Sequence, residues 1–493
     1  MSIDPRTKSA LAQVFKYERP SKPQSEYLPV ALRGDDVFVK ARTGSGKTLG
    51  FLIPVLQRIV GISNTSRTHV RALIISPSRE LAEQTATEAR KLVTFFAGAI
   101  GVQIMIGGTS VKEQQRKLQT SRCDILVATP GRLQDHLDNT PGFKDRLAGV
   151  GSLVLDEADR LLDMGFAPAI RKIVAFLPPP DRRQTLLFTA TVPEGVTKVA
   201  DAFMRPGKVF IDTARGSNAG PSEALSRIDQ QSVVVRPGDV VSTLFSLVAV
   251  KRRVPNHKII VFVTTAMMAA LMREFFVAAG THKDAMELHS KLTQSQRNAV
   301  TKAFSEGTGV LLFASDVIAR GIDFPDVTCV IQVGLTDTEQ YEHRVGRTGR
   351  AGKSGEAVII LGDDEAPALL PALINQRKMN IKPVVIPSET STSSLAQAVA
   401  LVGTPGNPLH KNAQRTFVAS LGFYNSHLRR LKWTPGQMVR AVWARFAAMG
   451  LREPPAIPVK TLGKMNLSKA ADLPPKKVLT RGASKIDRIR FVM

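Results

Sequence analysis

Only two cysteines occur in 493 residues, Cys123 and Cys329, which excludes a disulfide scaffold and a cysteine-built zinc site. Each lies in an apolar, strand-like run and reads as a buried thiol. No stretch of 18 apolar residues is free of charge, so no transmembrane helix is expected. The opening residues lack a secretory apolar core and a long Arg/Ser-rich amphipathic presequence. Acidic residues are absent from 390–452, a run that holds eight basic ones. Over the whole chain 67 Lys and Arg outnumber 42 Asp and Glu, and the formal charge of +25 points to a polyanionic partner. The rest of the balance, 43% hydrophobic and 22% charged, is that of a soluble chain without membrane insertion. The length allows roughly two to four domains.

Alternating apolar runs and helical patterns fill the first 212 residues. Strands are predicted around 36–39, 70–75, 101–106, 124–128, 151–155 and 184–188, with helices such as 79–95 and 111–117 between them. That rhythm is the signature of a parallel sheet covered by helices on both faces. Residues 213–225 hold Gly216, Ser217, Asn218, Gly220, Pro221 and Ser222 and read as a linker. The α/β rhythm restarts over 226–388, with strands predicted around 258–263, 309–314, 329–333 and 355–360. Residues 389–453 read as a basic helical extension, and 454–493, rich in Lys and Pro, as a flexible tail.

Two segments handle phosphate. Ala41-Arg42-Thr43-Gly44-Ser45-Gly46-Lys47-Thr48 follows a strand and opens an apolar helix. Its glycines let backbone N–H groups curl around phosphate oxygens, the helix start adds a favourable dipole, Lys47 reaches the outer phosphates and Thr48 can ligate Mg²⁺. Asp156-Glu157-Ala158-Asp159 ends a predicted strand, where carboxylates manage the metal and the attacking water. Asp156 is the expected Mg²⁺ holder, partly through water, and Glu157 the residue that polarises the nucleophile. Much further on, His343-Arg344-Val345-Gly346-Arg347-Thr348-Gly349-Arg350 supplies guanidiniums suited to charge developing on a transferred phosphoryl group.

Taken together these segments resemble the DEAD-box RNA helicases, over about residues 17–365. Pro77-Ser78-Arg79-Glu80-Leu81-Ala82, Gly107-Gly108, Thr129-Pro130-Gly131-Arg132 and Thr189-Ala190-Thr191 follow in the family's order. So do Ala314-Ser315-Asp316 through Arg320-Gly321-Ile322-Asp323. The resemblance implies two RecA-like parallel-sheet domains in tandem that bind ATP and Mg²⁺. It places Arg79, Gly108, Thr129, Gly131, Arg132, Thr264 and Ser315 along an RNA backbone, which is gripped without reading bases. Gln294 and Arg297 fit RNA and interdomain contacts. Asp159, Thr189, Thr191 and His343 would couple hydrolysis to domain closure. Arg347 and Arg350 would be arginine fingers and Asp323 a ribose contact.

The adenine-reading element resembles Tyr17 followed by Arg19-Pro20-Ser21-Lys22-Pro23-Gln24. Gln24 can offer both a donor and an acceptor to adenine, a pairing that guanine frustrates. The family's further upstream aromatic falls near Thr7, and no aromatic precedes Phe15. Ser21, Ser78, Thr189 and Ser315 exchange one hydroxyl residue for another, and Ser290 in Leu288-His289-Ser290-Lys291 stands where the family often has Gly.

Aromatics dot the acid-free run at Phe417, Phe423, Tyr424, Trp433, Trp443 and Phe446. Its layout is similar to the C-terminal extension of fungal mitochondrial DEAD-box RNA chaperones, which act on introns and in mitochondrial expression. It reads as a tether for RNA, with Trp433, Trp443 and Phe446 inward and many basic residues outward. The implied activity is ATP-gated closure of two domains on RNA, with local loss of a few base pairs, in a monomer that also meets ribonucleoprotein partners. The implied compartment is the mitochondrial matrix, with the nucleus, nucleolus or cytoplasm as alternatives. One alternative activity is an ATP-dependent RNA clamp or scaffold with little strand separation. Another is a double-stranded DNA translocase, which the Asp-Glu-Ala-Asp form and the Gln24 element disfavour.

Overall fold

The protein is described by a computed structural model covering residues 3–41, 45–61, 69–213, 223–280, 283–316, 324–349, 353–386, 392–465, 467, 475–478 and 488–491. Two compact units divide the chain, Met1–Asn218 and Ala219–Met493.

In the first unit seven strands, β1 Val37–Lys40, β2 Ala72–Ile75, β3 Val102–Met105, β4 Ile125–Ala128, β5 Ser152–Leu155, β6 Gln184–Thr189 and β7 Val209–Asp212, form one sheet. Their order is β3-β4-β2-β5-β6-β1-β7, every pair parallel. The central strands are buried along their whole length, as expected of apolar runs covered on both faces. Helix starts are fixed by side-chain caps. The Ser78 hydroxyl accepts from the Leu81 N–H at 3.2 Å and starts the helix Arg79–Leu92, and Ser110 does the same for Val111–Thr120.

A second seven-stranded parallel sheet builds the core of the second unit. Its strands are β8 Ile228–Val235, β9 Lys258–Phe262, β10 Met286–Leu288, β11 Val310–Ala314, β12 Cys329–Val333, β13 Gly355–Gly362 and β14 Ile381–Pro383, in the order β10-β11-β9-β12-β13-β8-β14. A capping box of Thr293 with Gln296 opens the helix Gln294–Glu306. β7, β8, β10 and β14 were not foreseen. Three of them are short edge strands, and β8 carries Asp229, Gln230, Gln231 and Ser232 through its middle, which hides its periodicity.

The extension is helical, over Thr392–Val402, Pro408–Asn425, Leu428–Leu431 and Pro435–Ala448. It has no core of its own: Phe417, Leu421, Val442 and Phe446 join the same apolar cluster as β9 to β13. Phe446 is inward as expected, while Trp433 and Trp443 are half-buried at the margin of that cluster. Lys411, Arg415, Arg429, Lys432, Arg440 and Arg452 are exposed, but Arg445 is buried. The tail expected to be flexible contains an antiparallel sheet, β15 Ile457–Pro458, β16 Pro475–Val478 and β17 Arg488–Phe491, in the order β15-β17-β16. Both cysteines are buried and free, and burial pushes each thiol up to about 12. Among the described residues no helix is long and apolar enough to cross a membrane.

Candidate functional site

The first constellation stands at the C-terminal ends of β1, β5 and β6, where parallel sheets present ligand sites. Ala41 continues β1, its N–H donating to the Thr189 carbonyl at 2.9 Å. Gly46 caps the helix Lys47–Val60 with φ +83, a left-handed conformation open to glycine. A Cβ there would also lie 2.6 Å from the Gln24 amide nitrogen. Lys47 is buried and its Nζ donates to the Ala41 carbonyl at 3.1 Å, so the ammonium is turned toward the end of β1. Ser45 and Thr48 are half-buried beside it. Thr43 and Gly44 lie outside the described residues.

Gln24 is held more tightly than the sequence indicates. Its Oε1 accepts from the Ser21 N–H at 2.8 Å and its Nε2 donates to the Gly46 carbonyl at 2.8 Å, while the Ser21 hydroxyl donates to the Ser45 carbonyl at 3.0 Å. Both ends of the amide brace the phosphate loop here. Tyr17 is exposed and stacks on Phe15, ring centroids 6.2 Å apart. Thr7 is buried and accepts from Gln57 Nε2 at 3.1 Å, a packing role.

Asp156 and Glu157 follow β5 and are both buried. Burial, then the charge of Glu157, pushes the Asp156 carboxyl up to about 7, opposed by Lys47. Glu157 adopts φ +48, strained for a residue with a Cβ, and its carboxylate faces Arg160 Nη1 at 3.4 Å. Asp159 ties this turn to the end of β6. Its Oδ2 accepts from the Ala190 N–H at 3.2 Å and from the Thr191 N–H and hydroxyl, both at 2.9 Å. Thr189 Oγ1 accepts from the Asp159 N–H at 3.3 Å and donates to the Thr191 carbonyl at 2.6 Å. Three of the four residues expected to couple hydrolysis to movement, Asp159, Thr189 and Thr191, thus form one network.

The expected backbone grips of the first unit also gather. Arg79 lies across Gly107, where a Cβ would come within 3.0 Å of the guanidinium. Gly108 is exposed at φ +82. Thr129 precedes the helix Pro130–Asn139, and Gly131 at its start is exposed with open space where a side chain would stand. Arg132 Nη1 donates to the Thr109 carbonyl at 3.0 Å and to Gln114 Oε1 at 2.9 Å.

In the second unit the helix Thr338–Val345 carries His343, whose Nε2 is 3.4 Å from Glu339. Arg347 is 2% exposed, its Nε donating to the His343 carbonyl at 3.3 Å. Neighbouring Arg344 is instead an internal brace, with Nε and Nη2 on Asp316 at 2.9 and 2.6 Å. Thr264 is half-buried after β9, and Ser315 is buried after β11 with its N–H on the Leu288 carbonyl at 3.3 Å. Buried Arg297 donates to Gln294 Oε1 at 2.6 Å. Asp323 and Arg350 lie outside the described residues. Sequence reading missed Gln114, His136 and the buried Glu365–Arg445 pair, none of which carries a short signature.

Among the described residues no three His, Cys, Asp or Glu form a closed metal cage. The hard oxygen donors Asp156 and Thr48 fit Mg²⁺, which takes few protein ligands and keeps water and phosphate.

The profile of the DEAD/DEAH box helicase family matches residues 21–199, and that of the helicase conserved C-terminal domain matches 239–352. DEAD-box ATP-dependent RNA helicase 26 of Oryza sativa subsp. japonica is 42% identical over 461 residues, covering 93% of this chain and 82% of the relative. The mitochondrial ATP-dependent RNA helicase MSS116 of Phaeosphaeria nodorum is 36% identical, covering 88% of this chain and 78% of that protein. A solved structure of Mss116p bound to ssRNA and AMP-PNP superimposes with a TM-score of 0.83 at 27% identity, over 95% of this chain and 93% of the other. With Gly46 and Lys47 at the end of β1, and the Asp156–Asp159 turn bonded to Thr189 and Thr191, the chain belongs to the DEAD-box ATP-dependent RNA helicases.

Proposed function

We propose that this helicase separates short RNA duplexes locally by closing its two domains on ATP and a single strand, and reopens on hydrolysis. The observation that carries this reading is the Asp159–Thr189–Thr191 network, which joins the turn carrying Asp156 and Glu157 to the end of β6. Lys47 neutralises the outer phosphates and Glu157 polarises a water for in-line attack on the γ-phosphorus. The water oxygen bonds to phosphorus as the bond to ADP breaks, and the water proton passes to Glu157 or solvent. Asp156 and Thr48 would hold Mg²⁺, which supplies charge neutralisation on the phosphate oxygens. Arg347, with Arg350, would meet the same phosphates on closure, and Asp323 the ribose. Exposed Tyr17 would pack near the base, with Gln24 exchanging one of its loop bonds for adenine. RNA phosphates would run past Arg79, Gly108, Thr129, Gly131 and Arg132, then Thr264 and Ser315.

The decisive measurement follows Asp159→Asn through RNA-stimulated hydrolysis and unwinding of a short duplex. Unwinding should fall much further than hydrolysis, and equal losses would sink the coupling role. The second reading, an RNA clamp, is favoured by the exposed cations of the extension; slow release of RNA with single-turnover separation would select it. A monomer acting among ribonucleoproteins in the mitochondrial matrix, on intron splicing or RNA processing, is supported by similarity to a relative named as mitochondrial. Imaging a tagged full-length protein tests that placement.

A further inference from the structure

We propose that Gln114 and His136 are positioning residues that hold Arg132 and the turn at 107–109 ready for RNA phosphate; this rests on the reading of Arg132 as an RNA contact. His136 has no exposed surface and stands one helical turn beyond Arg132, so both project from the same face of Pro130–Asn139. Its Nε2 lies 2.8 Å from Gln114 Oε1 and its Nδ1 2.8 Å from Thr140 Oγ1. Gln114 is buried on the helix Val111–Thr120, and the oxygen it turns to His136 also accepts from Arg132. Its Nε2 donates to the Ile106 carbonyl at 3.1 Å and to Thr109 Oγ1 at 2.6 Å.

The surroundings fix the proton positions. A carbonyl can only accept, so the end of Gln114 facing Ile106 is the NH₂ and the other end is the oxygen. His136 must then donate from Nε2, and its Nδ1 accepts from the Thr140 hydroxyl. That hydroxyl in turn takes the Gln115 Nε2 donor at 3.0 Å. Burial, then the Arg132 charge, holds the imidazole below the ordinary histidine range, which suits this neutral tautomer.

A chain of hydrogen bonds therefore runs from Gln115 through Thr140, His136 and Gln114 and ends on the Arg132 guanidinium. The same Gln114 pins Thr109, whose carbonyl is the second acceptor for Arg132. Arg132 is also 3.6 Å from Asp135 and its side chain is only 11% exposed. A free arginine loses rotamer freedom whenever it grips a phosphate. One held in advance loses less, so the network strengthens RNA binding without touching RNA.

The test measures half-saturation of ATP hydrolysis by a poly(U) strand, alongside the KM for ATP. Gln114→Met should raise the RNA half-saturation about tenfold, the worth of one hydrogen bond to a charged group, while the ATP KM stays put. His136→Phe keeps the packing against Phe143 and should weaken RNA in the same direction. Gln114→Glu retains the acceptor for both Arg132 and His136, so it should stay nearer the native value than Gln114→Met. Because most of the effect passes through Arg132, adding Gln114→Met to Arg132→Ala should weaken RNA binding by much less than the roughly tenfold it costs the native protein. A drop in maximal rate with unaltered half-saturation in Gln114→Met and His136→Phe would mark mere loss of folded protein and overturn the proposal. So would weak RNA binding by Arg132→Ala with native binding by both network variants. Native binding by Arg132→Ala itself would remove the RNA reading of Arg132, and the proposal with it.

Discussion

Replacing Arg445 with methionine should loosen the C-terminal extension from the sheet it packs on, by an amount that can be worked out. Arg445 is 7% exposed, with Nη2 3.0 Å from Glu365 and 3.3 Å from Asp364. Burial works against its charge, and Glu365, Tyr424 and Asp364 outweigh that, holding the guanidinium's pKa above its ordinary value. Glu365 is fully buried and also accepts from the Gly362 N–H at 2.9 Å, the Leu335 N–H at 3.2 Å and the Tyr424 hydroxyl at 2.5 Å. Removing one partner of a buried pair costs about 3–5 kcal/mol because the other charge is stranded. Glu365 keeps three donors, so the lower end, about 3 kcal/mol, is expected.

The chain's two tryptophans, Trp433 and Trp443, both lie in the extension, so their fluorescence reports this region alone. Trp433 stacks on Tyr424 at 5.7 Å and Trp443 meets Phe417 edge-on at 6.1 Å. With a urea dependence of about 2–3 kcal/mol/M, the transition should move down by roughly 1 to 1.5 M. Glu365→Gln with Arg445→Met should be less destabilising than the sum of the two single changes. An Arg445→Met transition within about 0.3 M of native, or strict additivity in the double variant, would refute the buried-pair argument.

Three further outcomes are expected. Asp156 binds its proton more tightly folded than unfolded, so the stability it gives the ligand-free protein is present at low pH. That contribution is lost as pH rises from the ordinary 3.8 through about 7, so Asp156→Asn should flatten the fall in melting temperature over that window and abolish Mg²⁺-dependent hydrolysis; an unchanged pH profile would contradict it. Substituting Gln for the exposed Lys411, Arg415, Arg429, Lys432, Arg440 and Arg452 should weaken RNA binding and flatten its salt dependence while the ATP KM holds. Identical affinity across a salt series would end the tether idea, and this test is cleaner than deleting 390–493, which would strip apolar cover from the second unit. Gly46→Ala, strained at φ +83 and pressed on Gln24, should cut hydrolysis at least about 100-fold while native melting is kept within a few degrees; near-native hydrolysis would show that the loop tolerates another path.

What the sequence disclosed depended on how much each feature is spelled by neighbouring residues. Central strands such as Ile125–Ala128 are legible because a strand buried on both faces is a continuous apolar run. The phosphate loop and the Asp156–Asp159 turn are legible because their chemistry demands fixed residue types at fixed spacing. β8 escaped notice because Gln230 sits in its middle, paid for by a 3.0 Å hydrogen bond from the Tyr341 hydroxyl. Arg445 is one of the eight cations of the acid-free run, and nothing adjacent in sequence distinguishes it from Arg440. Only folding brings Glu365 and Asp364 to it. Gln114 and His136 were silent for the same reason: their bonds join helices that are separate in sequence.

The buried carboxylates also separate structure from function. Asp36 accepts from the Thr185 N–H at 2.9 Å, the Arg205 N–H at 2.8 Å and the Arg205 guanidinium at 2.8 Å. Asp124 holds the Gly101 N–H at 2.8 Å and Arg122 at 2.6 Å. Glu365 is likewise saturated by several donors. Such groups are anchors, because a buried charge is tolerable once its lone pairs are filled from within. Asp156 is different: burial and a second carboxylate next in sequence raise its pKa, and Lys47 only partly offsets them. A fold that can saturate Asp36 and Glu365 this fully leaves Asp156 electrostatically strained beside Lys47. In the ligand-free protein a proton relieves that strain, and a cation held at the same carboxylate would take the proton's place, so cation binding there should tighten as pH rises through about 7.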